Sequence, residues 1–147
     1  MQETGTNRVP GRALFVAATW VLMLFSTIHV IPMFADLFGS PSQPLEIEAK
    51  RAMAAVAVDM GPFRTHWGKL NQLLSVSYSA LLYFVAAVNF VTVGAAAAHG
   101  KLRSLALVNA IFAAILLAIC LAFSFPPPAV FSLLALVLFG WSAAKAR

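Results

Sequence analysis

Three stretches without a single Asp, Glu, Lys or Arg fill most of this chain: between Arg12 and Asp36, between Lys69 and Lys101, and between Arg103 and Lys145. A helix rises about 1.5 Å per residue, so about 20 apolar residues cross the roughly 30 Å of bilayer hydrocarbon. The last stretch is long enough for two crossings, and Phe125-Pro126-Pro127-Pro128 divides it. Consecutive prolines end one helix but are tolerated at the start of the next. Four spans follow, at 13–34, 70–98, 102–123 and 127–144, the last two forming a tight antiparallel hairpin.

Composition excludes the soluble alternative. The chain is 61% hydrophobic and 10% charged, whereas soluble domains carry about 25% charged residues. The expected fold is therefore an all-α integral membrane protein, a four-transmembrane-helix bundle forming one membrane domain over 1–147. The bilayer itself is its first partner. A net charge of +5 would suggest nucleic acid in a soluble chain. Here the basic residues cluster at the ends of apolar runs, which reads as membrane orientation, so no nucleic-acid partner is expected. Cys120 is the sole cysteine; it has no internal disulfide partner and belongs to no CxxC motif.

The first span exceeds the roughly 7–15 apolar residues of a signal-peptide core. No small-x-small cleavage site follows it around Pro32 to Leu37, so it reads as a retained signal anchor. Arg8, Arg12, Lys101, Arg103, Lys145 and Arg147 fall on one side of the four spans. Lys50, Arg51, Arg64 and Lys69 fall on the other, in a longer loop shared with Asp36, Glu46, Glu48 and Asp59. Short basic loops stay cytoplasmic, which places both termini in the cytoplasm. Trp67 and Trp141 then fall near opposite interfaces. Compactness and short loops suggest a bacterial inner membrane.

The outer loop, 35–69, is the one sizeable extramembrane segment. Gly39 to Pro44 has turn composition. Over 45–60, Leu45, Ala49, Ala52, Met53, Val56 and Met60 recur at helical spacing. They predict a short extracytoplasmic amphipathic helix, lying on the membrane surface or acting as a lid, that Gly61-Pro62 ends. Glu46 with Lys50 and Glu48 with Arg51 are spaced as helical ion pairs.

Polar residues within spans are costly and need partners. His29 is the most informative, one turn after Ser26 and just before Pro32. Pro32 lacks the N–H that would bond the Ile28 carbonyl, so a kink and a spare acceptor are expected beside the imidazole. His29 reads either as a helix-packing histidine or as a ligand, proton carrier or quinone partner. In the second span Ser75, Ser79, Leu82, Ala86, Asn89 and Ala96 form a small and polar seam suited to helix packing. Tyr78, Tyr83 and Asn89 read alternatively as the lining of a cavity, with Asn109 a partner for Asn89. The candidate binding residues are thus His29, Ser26, Tyr83 and Asn89. His29, His66 and Asp59 are weak candidates for a metal site, without diagnostic spacing, and the two histidines are weak candidates for one b-type heme. His99 reads as a solvated loop residue.

The absent residues narrow the function. Small four-helix drug exporters couple protons through an embedded acidic residue, which these spans lack. Membrane disulfide-exchange enzymes need cysteine pairs. A diheme cytochrome needs four axial ligands, and this chain has three histidines. No phosphate loop, nucleophile elbow or acid–base pair occurs. The leading expectation is a non-enzymatic accessory subunit of a membrane complex, or a binder of a hydrophobic small molecule such as a quinone or lipid. The rival is a small redox or lipid-modifying membrane enzyme with its site near His29. An oligomeric transporter is the weakest of the three.

Overall fold

The computed structural model describes residues 9–39, 43–124 and 126–146, the side chains of 35–37 excepted. Arg8, Arg147, the Asp36 side chain, Phe125 and part of the 39–44 linker lie outside the described residues. The elements run α1 (Arg12–Phe38), α2 (Pro44–Ala55), β1 (Ala57–Met60), β2 (Phe63–His66), α3 (Trp67–Ala98), α4 (Leu102–Ala122) and α5 (Pro126–Lys145). Four of these, α1, α3, α4 and α5, are long and apolar enough to cross a membrane. Their bounds differ from the expected spans by a few residues, α4 ending one residue early at Ala122 and the others extending. α1 runs on past Pro32 to Phe38, and α3 starts at Trp67, three residues before the expected start. α5 takes all three prolines into its first turn, where their missing N–H groups cost nothing.

Contacts divide the chain into two compact units, one of α1 up to Phe25, α3 from Tyr83, α4 and α5, and the other Ser26–Leu82. In the first unit, α4 and α5 pack against each other extensively. Leu102, Ala106, Asn109, Ala113, Leu116 and Cys120 of α4 are buried, as are Pro128, Ser132, Ala135, Phe139 and Ser142 of α5. Both series advance in alternating steps of four and three, the spacing of knobs-into-holes packing. Their many small side chains let the helix backbones approach.

Aromatic pairs join α1 to α5 in this core and α1 to α3 at its surface. Phe15 meets Phe139 edge-on at 5.2 Å, Phe25 stacks on Phe131 at 5.3 Å, and Trp20 meets Phe90 edge-on at 5.1 Å. At the start of α1, the Ser142 hydroxyl donates to the Gly11 carbonyl at 2.9 Å. Gly11 has φ +86°, and a Cβ there would sit 2.6 Å from the Ser142 carbonyl oxygen. Only glycine fits both the conformation and the space.

The second unit holds the difference from the expected fold. The stretch expected as one helix over 45–60 is helical only to Ala55; Val56 is extended, and an antiparallel hairpin follows. Met60 pairs with Phe63 and Ala57 with His66. Gly61-Pro62, expected to stop a helix, is the hairpin turn. Gly61 has φ +64° in its first central position, as two-residue II′ turns require, and the fixed negative φ of Pro62 suits the second.

The pairing places Val58, Met60, Phe63 and Thr65 on one face and Asp59, Arg64 and His66 on the other. Val56 and Met60 therefore leave the expected helical stripe. α2 has no buried residue, and its Lys50 Nζ pairs with Glu46 at 2.7 Å as the spacing foretold.

Candidate functional site

Two clusters of polar groups inside the apolar helices, one in each unit, hold most of the candidate residues. In the second unit, Ser26 and His29 lie one turn apart on α1 and meet adjacent residues of α3. The buried Ser26 hydroxyl donates to the Ser79 carbonyl at 2.8 Å. The half-buried His29 ring meets Tyr78 edge-on, with centroids 5.4 Å apart. Helical spacing produces this arrangement, because i and i+3 share a face. The Ser79 hydroxyl is buried and has no hydrogen-bond partner among the described residues. Its neighbourhood is the expected α3 seam, and Ser79 and Leu82 are buried there.

In the first unit, Asn89 of α3 and Asn109 of α4 exchange a pair of amide bonds. Asn89 Nδ2 donates to Asn109 Oδ1 at 2.7 Å, and Asn109 Nδ2 donates to Asn89 Oδ1 at 3.0 Å. Asn109 Nδ2 also donates to the Leu105 carbonyl at 2.9 Å. Asn89 is 2% and Asn109 5% exposed. The partner expected for Asn89 is thus the one it has. Both amides line a groove of about 260 Å³ between α3 and α4, otherwise walled by apolar side chains including Phe84, Val88, Val108 and Phe112. A second groove, of about 590 Å³, lies between α4 and α5 near Cys120. Its lining is apolar apart from Ser124, and Ser124 holds the left-handed φ of +52° that ends α4.

The four candidate binding residues are therefore not brought together within one unit. Ser26 and His29 belong to the second, Tyr83 and Asn89 to the first. Tyr83 is half-buried on α3, six residues from Asn89, and six residues turn a helix through about 240°. The weak metal candidates are engaged separately. Asp59 accepts from Arg64 across the hairpin at 3.3 Å, with both side chains well exposed. His66 Nδ1 accepts from the Lys69 N–H at 3.4 Å in the first turn of α3. His29 packs on Tyr78. Among the described residues no three His, Cys, Asp or Glu side chains cluster as metal ligands. His99 is exposed as expected, with Nδ1 2.9 Å from the Ala95 carbonyl at the end of α3.

Sequence reasoning missed Ser132, fully buried on α5, whose hydroxyl has no hydrogen-bond partner among the described residues. Its signal was there to read, since Ser132 falls on the four-and-three rhythm of that helix. Comparison with protein-family models, curated proteins and solved structures finds no match.

Proposed function

We propose that this chain is a non-enzymatic multi-pass membrane protein that holds a hydrophobic small molecule, of quinone or lipid character, in the groove between α3 and α4. The observation that carries this reading is the Asn89–Asn109 pair. Two amides buried at the floor of an apolar groove give a ligand a fixed polar contact within a greasy wall, the usual composition of small-molecule sites. Among the described residues lining that groove there is no Asp, Glu, Lys or Arg. In this reading both termini face the cytoplasm of a bacterial inner membrane, on the strength of the basic short loops. The connection bearing α2 and the hairpin then lies outside. Neighbouring membrane subunits or further copies of the chain are partners consistent with the role of an accessory subunit.

The test is gentle extraction of the protein from its native membrane, followed by native mass spectrometry. An added mass of small-molecule size is the expected result. A bare 15.7 kDa species refutes ligand holding, and release from a larger assembly points to the accessory role alone.

One observation favours a second reading, an enzyme or redox site at His29. The ring stands on Tyr78 beside the Ser26–Ser79 bond and the orphan Ser79 hydroxyl. Replacing His29 with Ala separates the two. Retained fold and retained ligand binding exclude His29 from function, whereas loss of turnover with the fold intact moves the site there.

A further inference from the structure

The two amides of the α3–α4 groove are not equally satisfied. A side-chain amide carries two N–H donors. Asn109 uses both, toward Asn89 and the Leu105 carbonyl. Asn89 uses one, toward Asn109 Oδ1, and its second N–H has no acceptor among the described residues. Asn89 is 2% exposed, and hydrocarbon offers no acceptor of its own, so an unmade bond there is costly. The unmade N–H bond of Asn89 calls for an acceptor.

Depth restricts where that acceptor comes from. Asn89 lies nine residues before the end of α3 at Ala98, and Asn109 seven after the start of α4 at Leu102. At about 1.5 Å per residue both sit roughly 10–14 Å from those ends, against a hydrocarbon half-thickness of about 15 Å. The ester carbonyls of a phospholipid stay at the hydrocarbon edge, tied to their head group. A molecule dissolved wholly in the hydrocarbon reaches deeper. Phe84 and Phe112 line the same groove, and their rings favour offset or edge contact with a flat unsaturated ring.

Building on the ligand-binding reading above, we infer that the groove takes a lipid-soluble ring ketone of the quinone class, one of whose carbonyl oxygens accepts from Asn89 Nδ2. Asn109 is the positioning residue: it holds the Asn89 amide in place through the reciprocal pair. The groove, at about 260 Å³, admits the ring and leaves an apolar tail among the lipids.

The test uses the full chain, with asparagine side chains labelled with ¹⁵N, in nanodiscs of phosphatidylcholine and phosphatidylglycerol. Decylubiquinone is the probe, decylcyclohexane its counterpart without carbonyls, and the exposed Asn71 the internal control. Decylubiquinone is expected to shift the free amide proton of Asn89 while Asn71 stays still, and decylcyclohexane to leave both unmoved. The double variant N89L/N109L removes both amides without orphaning either. It is expected to bind decylubiquinone about 3- to 20-fold more weakly, the worth of one hydrogen bond inside a membrane.

Saturable decylubiquinone binding that leaves Asn89 unmoved and is unchanged in N89L/N109L overturns the inference while the ligand-binding reading stands. An equal shift with decylcyclohexane, a phospholipid recovered at the site, or a second copy cross-linked across the α3–α4 face also overturns it. No saturable binding of either probe, together with a bare mass from the native membrane, refutes the underlying reading itself.

Discussion

Asn89 and Asn109 are each a liability alone, because an amide in hydrocarbon has no water to turn to; together they remove most of each other's cost. The energetic consequence is an asymmetry between single and double substitution. Asn89→Leu leaves Asn109 buried with an unmade bond and is expected to destabilise the protein by about 1–2 kcal/mol. Asn89→Leu with Asn109→Leu is expected to recover most of that loss. Unfolding midpoints of the four proteins in detergent micelles complete the cycle, and strict additivity would deny the pairing. Gly11 supplies a second residue-scale test. Gly11→Ala places a Cβ against the Ser142 carbonyl at a φ of +86° and is expected to cost about 1–3 kcal/mol. Thermal unfolding of that variant checks it. The Asn pair was legible beforehand because both residues interrupt apolar helices. The Gly11 contact was not, since it joins residues at opposite ends of the chain.

At the scale of elements, α4 and α5 follow directly from their residues: apolar runs of the right length, separated by prolines that fit a helix start. The segment 45–66 behaved otherwise. Its apolar residues fit helical spacing as far as Met60, but β-branched Val56 and Val58 and the Gly61-Pro62 turn favour paired strands. A short segment satisfies both periods, and partner residues decide between them. Here Phe63 to His66 supply the second strand. Gly61→Val is expected to strain the turn at φ +64° by about 1–2 kcal/mol. Amide hydrogen exchange should quicken across 57–66 and stay unchanged in α4 and α5. Faster exchange in those helices as well would mean that the hairpin supports more than itself.

For the molecule as a whole, the exterior is apolar and the helix seams admit small and polar residues beside Phe15, Leu22 and Phe139. Small and polar side chains such as Ala106, Ser132, Ala135 and Ser142 are buried, while Val91, Val108, Ile111 and Leu121 point outward. An aqueous fold would not leave such side chains on its surface, and hydrocarbon accepts them without cost. Val91 is 81% exposed on α3 and Leu45 78% exposed on α2, so exposure alone does not separate them. On the reading of α3 as a span and α2 as extramembrane, Val91 faces hydrocarbon and Leu45 does not. Val91→Arg is expected to impair insertion by about 2–3 kcal/mol, seen as a smaller share of the protein in the membrane fraction. Leu45→Arg is expected to leave that share unchanged. Equal behaviour of the two variants would contradict the assignment of α3 as a span.

Four membrane-long helices, their approximate ends and the seams of small residues between them were determined by the sequence itself. Bilayer thickness and the absence of water act on every residue of a span alike, and a run of twenty leaves little ambiguity. Tertiary structure alone decided which polar groups meet. Ser26 with Ser79, His29 with Tyr78, Ser142 with Gly11, and the hairpin at 57–66 depend on contacts between segments far apart in the chain or on pairing that local spacing does not specify. Periodicity marks the face a residue occupies on its own helix, and only packing sets which residue stands opposite and at what height.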